Sequence, residues 1–304
     1  SEAIGSSSMK ETKFKQTEVG MIPSDWEVTT IGDFCKVYDG THQTPNYVDF
    51  GIPFYSVENV SADDFEHTKY ISLKEYTQIS KRANIVKGDI LMTRIGSIGV
   101  CKYVDWNCKA GFYVSLALLK CNDSVDARFI CHLSNSENFK REIELHSLLT
   151  AIPQKINLGP ISNVRIALPK KLEQQRIANA LSEVDALIAN LEKLIAKKKN
   201  IKQGAMQSLL TGKKRLKGFD GEWCEKKLGQ IGYLQNGYAF NSDSFSEFGY
   251  NVIRISDIQE GLIVFDTMVK TNILVPKDFE VKKGDFLIAM SGATTGKVGK
   301  YTSE

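Results

Sequence analysis

The sequence predicts a mixed α/β (α+β) protein: a strand-rich domain, one long coiled-coil helix, and a second copy of the strand-rich domain. Three observations carry this. Residues 172–210 hold a helical pattern with no proline inside it. The stretch before it alternates short apolar runs with glycine-rich and polar turns. The stretch after it repeats landmarks of the first at a nearly constant offset.

In the first domain, residues 9–170, strands are expected near 27–30, 52–57, 90–94, 100–104, 114–119 and 164–168. A polar loop, DGTHQTP, spans 39–45, and Val86-Lys87-Gly88-Asp89 reads as a turn feeding a strand. Residues 127–146 carry helical spacing at Phe129, Ile130, Leu133, Phe139 and Ile143.

The helix follows as residues 171–212. Apolar residues recur at Ile177, Leu181, Val184, Ile188, Leu191 and Ile195, in alternating steps of four and three. That 3.5-residue period is the seam of a left-handed coiled coil. A second stripe, Leu187, Leu194 and Ile201, widens the apolar face. Pro169 precedes the helix, and Thr211-Gly212 follows, where glycine can close it. About forty residues at 1.5 Å each make a rod of roughly 60 Å. So broad an apolar face calls for a partner helix, and the chain ahead offers none of comparable length.

Residues 213–304 then repeat the first domain. Trp26 and Trp223, Ile31-Gly32 and Leu228-Gly229, and Gly40 and Gly237 are all 197 residues apart. GIPFY at 51–55 matches GYNVI at 249–253, and KGDIL at 87–91 matches KGDFL at 283–287. Gly96 falls on Gly292, and Gly99 on Gly296 after one inserted residue. Glu304 corresponds to about residue 106, so the second copy is expected to be incomplete, with open sheet edges and half a core.

Composition narrows the function. At 304 residues the chain accommodates two domains. No apolar run approaches the roughly 18 residues of a membrane span. Residues 1–8, SEAIGSSS, read as an expression scar ahead of Met9 and lack the regions of a signal peptide, so a cytoplasmic location is expected. The six cysteines form no CxxC pair and the four histidines are scattered, which predicts reduced thiols and no metal site. Net charge is only +3, but residues 193–217 hold nine Lys or Arg and no acid. Such a run is either a solvated helix face or a surface for a phosphate backbone.

Together these residues resemble a known family. Leu168-Pro169, then Glu173-Gln174-Gln175-Arg176-Ile177-Ala178 opening the helix, then IKQGAMQSLLTG at 201–212 and Gly221-Glu222-Trp223, are similar to type I restriction-modification specificity subunits. The repeat of Trp, glycine-ended loop, Lys-Gly-Asp-apolar and the SGATTG of 291–296 resembles their target recognition domains, the second one truncated. The resemblance implies that each domain reads half of a split double-stranded DNA site. It implies that the helix spaces the readers and docks two methyltransferase subunits, with restriction/translocase subunits joining them. S-adenosylmethionine, ATP and Mg would sit on those partners, with no cofactor in this chain. The family's second rod is missing, so a homodimer with rods paired between chains is the natural substitute.

Catalytic motifs are missing from the sequence. There is no Pro-Pro pair for an adenine methyltransferase turn and no GxGxxG after a strand. GATTGKV at 292–298 has three residues between its glycines, where a phosphate loop has four, and Val298 stands where a magnesium-binding hydroxyl belongs. Glu280 and Lys282 form an ExK without an identifiable nuclease aspartate. The expectation is a non-catalytic DNA-recognition subunit. The alternative is the specificity portion of a single-chain enzyme whose catalytic domain lies outside this chain. A third reading is a coiled-coil assembly protein with no DNA role.

Candidate DNA-binding residues lie on loops of the predicted sheets. In the first copy these are Thr41, His42, Gln43 and Thr44, which mix donors and acceptors, and Ser97 in the glycine turn. Arg94 either grips guanine or pairs with a carboxylate. Lys102, Lys109 and Tyr113 either touch phosphates or are solvated. Matching places in the second copy hold Asn236, Tyr238, Asn241, Arg254, Ser291, Thr294, Thr295 and Lys297. On the helix, Glu173, Gln174 and Gln175 dock its end or the methyltransferase, or only cap it. Ile177, Leu181, Val184, Ile188, Leu191 and Ile195 are the partner-facing seam.

Overall fold

The computed structural model describes residues 12–148, 150–266 and 268–303. Residues 1–8, read as an expression scar, lie outside them. The chain divides into two compact units, Ser1–Gln207 and Ser208–Glu304.

The first unit is built on a four-stranded sheet ordered Cys35–Asp39, Leu116–Cys121, Ile90–Thr93, Cys101–Tyr103, with antiparallel pairing throughout. Its central strands, ILMT and LALLKC, are apolar without alternation because both faces are covered. Ile90, Met92, Ala117 and Leu119 join one core with Ile31, Phe34, Phe129, Ile130, Phe139, Ile143 and Ala178. Leu91, Leu116 and Leu118 join the other, with Tyr55, Val60, Val104 and Phe112. Each fully buried leucine contributes about 2 kcal/mol.

A second sheet, ordered Gly111–Phe112, Ile52–Tyr55, Lys69–Ile71, Tyr47–Val48, flanks that second core. Arg165–Leu168 pairs antiparallel with Glu27–Thr30 and so returns the chain to its start before the long helix.

Two sequence expectations are corrected, and one element is new. The helix over 127–146 is two, Ala127–Leu133 and Glu137–Leu145. Ser136 Oγ accepts the Phe139 N–H at 3.3 Å and caps the second. The thiols are not all reduced, because Cys35 and Cys121 face each other across the ladder and form a disulfide. Eighty-six residues separate them in sequence, and only the strand pairing brings them together. Among the free thiols, burial pushes Cys101 up to about 12 and Cys131 well above its ordinary range. The hairpin of Phe14–Thr17 and Gly20–Pro23 was not anticipated.

The helix runs unbroken from Lys171 to Leu209. Gln174 and Ala178 are its buried residues, and Ile177 packs on the first core rather than on a seam. From Leu181 to Ile201 both apolar stripes are 43–62% exposed.

The second unit repeats part of the first. Phe245–Ser246, Val269–Thr271 and Tyr250–Val252 form a sheet in the order of Tyr47–Val48, Lys69–Ile71 and Ile52–Tyr55. A Cβ on Gly51 would lie 2.3 Å from Ile71 O, and one on Gly249 would lie 2.3 Å from Thr271 O, so both positions need glycine. Gly88 N–H donates to Val104 O at 2.9 Å, and Gly284 N–H to Tyr301 O at 2.8 Å, with φ of 102° and 101°. Gly99 N–H donates to Thr93 O and Gly296 N–H to Ala289 O, each at 2.8 Å.

The cores differ. Ile31 and Phe34 are 0% and 4% exposed, whereas their counterparts Leu228 and Ile231 are each 65% exposed. Phe286 and Ile288 are likewise exposed where Ile90 and Met92 are buried. In the first unit those positions are covered by residues 116–178, whose equivalents fall outside residues 213–304.

Candidate nucleic-acid interface

The loop after Asp39 is pinned on both sides. A Cβ on Gly40 would sit 2.1 Å from Phe112 O, so only glycine lets the chain run this close to its neighbour. Thr41 N–H then donates to Phe112 O at 3.1 Å, and Val114 N–H donates to Thr41 O at 3.0 Å. Beyond this anchor His42, Gln43 and Thr44 are exposed. Thr41 Oγ1 donates to Gln43 O at 3.2 Å, and Thr44 Oγ1 lies 3.5 Å from the Tyr113 hydroxyl.

Under the loop sits a buried carboxylate. Asp39 Oδ2 is 2.6 Å from His42 Nε2, and Arg82 pairs with Oδ1 at 2.5 Å. The loop, residues 78–83 and residues 110–112 enclose a cleft of about 250 Å³. Beside it, Lys69 Nζ lies 4.8 Å from the Tyr47 ring centre and Lys109 Nζ 5.5 Å from that of Tyr76.

Arg94 is placed differently from its expectation. It is buried, Nε donates to Ile156 O at 3.1 Å and NH1 to Val114 O at 3.0 Å. Burial lowers its pKa, and the Asp39 carboxylate offsets part of that. The guanidinium therefore holds the segment that holds Thr41, and is not spread on the surface. Ser97 is exposed on the separate turn from Gly96 to Gly99. Lys102 forms an ion pair with Asp63 and lies over Phe65.

The fold thus brings together Thr41, His42, Gln43, Thr44 and Tyr113, and adds Asp39, Arg82, Tyr47 and Lys69, which sequence reasoning missed. Arg82 sits in an ordinary basic turn, and nothing local in the sequence ties it to a loop forty residues earlier.

In the second unit, Asn236 and Tyr238 are exposed, and the Tyr238 ring packs 4.9 Å from Phe240 and 5.4 Å from Phe279. Asn241 O accepts the Ser244 N–H at 2.9 Å. Arg254 N–H donates to Asp257 Oδ2 at 2.7 Å. Ser291, Thr294 and Thr295 are exposed on a turn in which Thr295 Oγ1 donates to Gly292 O at 2.8 Å and Lys297 N–H to Thr294 O at 3.0 Å.

The start of the long helix docks on its own domain. Trp26 Nε1 donates to Glu173 Oε1 at 3.3 Å. Gln174 accepts from Asp126 N–H at 2.8 Å and donates to Pro169 O at 2.8 Å. Arg128 NH1 donates to Asn179 Oδ1 at 2.8 Å, and His132 Nε2 is 3.0 Å from Ser182 Oγ. Gln175 is half-buried. Among the described residues no cluster of three His, Cys, Asp or Glu could hold a metal, and no helix is long and apolar enough to cross a membrane.

The chain is similar to known proteins. A family model described as the type I restriction modification DNA specificity domain matches residues 23–203. The chain is 31% identical over 212 residues to the putative type I restriction enzyme MjaX specificity subunit of Methanocaldococcus jannaschii, covering 66% of this chain and 49% of that protein. It is 25% identical to the MjaVIII specificity subunit of the same organism, across 94% of this chain and 68% of that protein. The chain therefore spans about half the length of the first of these relatives. The crystal structure of a type I restriction-modification system S subunit from M. genitalium shares the fold, with a TM-score of 0.54 at 18% identity, over 91% of this chain and 70% of that one.

Proposed function

The chain belongs to the type I restriction modification DNA specificity domain family, and from that premise we propose that it is the DNA-reading element of a type I restriction-modification complex. Each unit reads one half of a bipartite duplex site. The helix sets the distance between the halves and docks methyltransferase subunits, with restriction/translocase subunits completing the assembly. The chain itself performs no chemistry, and S-adenosylmethionine, ATP and Mg belong to its partners.

The observation that carries this reading is the contrast between scaffold and loops. The two units share the backbone hydrogen bonds of the turns at Gly88 and Gly284 and at Gly99 and Gly296. Yet Thr41, His42, Gln43 and Thr44 become Tyr238, Ala239, Phe240 and Asn241 at the same offset. One scaffold carrying two different sets of exposed side chains suits two independent half-site readers. In the first unit the reading set is Thr41, His42, Gln43, Thr44 and Tyr113, with Lys109, Lys102 and Ser97 as phosphate contacts and Arg94 behind them as support. In the second it is Asn236, Tyr238, Asn241, Arg254, Ser291, Thr294, Thr295 and Lys297.

The exposed stripe from Leu181 to Ile201 takes a helix from a second copy or from a methyltransferase subunit. The basic run over 193–217 lies alongside the duplex. Retention of the chain on duplex DNA tests the reading. Affinity is expected to fall steeply between low and moderate salt while a specific duplex outcompetes random duplex. Equal competition by all duplexes, or no retention at low salt, overturns it.

A further inference from the structure

The cleft beneath the first reading loop holds a cluster of charged side chains. Asp39 is 6% exposed, and its two carboxylate oxygens face different cations or donors, His42 on Oδ2 and Arg82 on Oδ1. Arg94 lies close enough behind for its guanidinium to feel the same carboxylate. A carboxylate only accepts hydrogen bonds, so the 2.6 Å contact places a proton on His42 Nε2. In the neutral ring the other nitrogen, Nδ1, is then an acceptor. The His42 side chain is 61% exposed, and no hydrogen bond to Nδ1 exists among the described residues.

The second unit has different residues at these positions. At the same offset Asp39 becomes Asn236 and His42 becomes Ala239. Aromatic rings stand there, with Tyr238 tilted against Phe240 and edge-on to Phe279. The turns at Gly88 and Gly284, and at Gly99 and Gly296, keep their hydrogen bonds in both units, whereas the bonds from Thr41 to Phe112 and from Val114 to Thr41 belong to the first unit. A buried, paired carboxylate is costly to maintain. Here it lies directly beneath the loop that exposes His42.

We infer that His42 is a specificity-determining residue of the first unit, and that Asp39 is its positioning residue: the pair presents Nδ1 as a fixed acceptor for the exocyclic amino group of an adenine or a cytosine in the major groove. Adenine N6 and cytosine N4 are the amino donors on that edge, and guanine and thymine offer acceptors there. Arg82 balances the carboxylate charge and holds it in place. The inference rests on the DNA-reading role proposed above and adds which base chemistry one residue selects.

The test is selection of bound duplexes from a randomised pool by the full chain and by its His42→Ala and Asp39→Asn variants, with thermal midpoints measured alongside. The selected base identity distinguishes adenine from cytosine. His42→Ala is expected to lose about tenfold preference at one adenine or cytosine position while the other positions keep theirs. Asp39→Asn is expected to relax that same position. An unchanged His42→Ala profile overturns the inference, as does a lost preference for guanine or thymine, or a uniform weakening with a smaller salt slope. If the unmodified chain selects no sequence at all, the DNA-reading role fails, and this inference with it. Selection that persists unaltered in both variants removes the inference alone.

Discussion

Asp89 and Asp285, 196 residues apart, cap the same turn: Asp89 Oδ2 accepts the Val86 N–H and Asp285 Oδ2 accepts the Lys282 N–H, each at 2.8 Å. Their surroundings differ. Asp89 is buried and also takes Lys120 Nζ at 2.6 Å, from the strand Leu116–Cys121, whereas Asp285 is exposed. Asp89→Ala is therefore expected to cost roughly 2–3 kcal/mol and Asp285→Ala about 1 kcal/mol, read from urea unfolding. Equal effects would mean that the Lys120 contact contributes nothing.

Arg94→Met tests the supporting role of that side chain. The substitution leaves the Ile156 and Val114 carbonyls without their donors, and roughly 2–4 kcal/mol of stability is expected to go. A surface arginine would cost less than about 0.5 kcal/mol. Thermal denaturation of the variant separates the two cases.

The helix makes the opposite prediction. Leu191 is 57% exposed, so Leu191→Asp is expected to change the chain's own stability by less than about 0.5 kcal/mol. The same substitution is expected to abolish the helix pairing proposed above, because it puts a charge in the seam. Sedimentation of the variant, alone and with a methyltransferase subunit, reads that loss directly.

Asp126 gives a pH dependence. Burial pushes its pKa up, but hydrogen bonds from the Arg128 side chain and backbone outweigh this and leave it lowered. A carboxylate held lower in the folded state contributes stability that is full above the ordinary carboxylate range near pH 4. That contribution is lost as pH falls through the folded value. The stability gap between the native chain and Asp126→Asn is thus expected to be constant from pH 7 to about 5 and to close in acid. A gap that widens in acid contradicts the assignment.

Much of this was legible in the sequence because it depends on local pattern. The 3.5-residue period marked one continuous helix, expected over 171–212 and found over Lys171–Leu209, since such a period is local. The paired Gly88 and Gly284, and Gly96 and Gly292, revealed the repeat because positive φ leaves a mark in residue type. What escaped depends on long-range pairing. The Cys35–Cys121 disulfide and the Asp39–Arg82 ion pair join residues that no local spacing connects. Arg94 read as a surface reader because a strand-end arginine looks the same whether its guanidinium faces solvent or two carbonyls. Ile177 fits the seam by spacing, yet the packing of the helix start on the first core claims it.

Two readers on a spacer of set length would leave their mark in the gap of the selected DNA site. Selection by the full chain is expected to return two short sequence blocks separated by a fixed unspecified gap. Inserting four residues after Ala196 should lengthen the helix by about 6 Å and widen that gap by roughly two base pairs, with both blocks unchanged. A single contiguous block, or a gap that stays the same after the insertion, would contradict it.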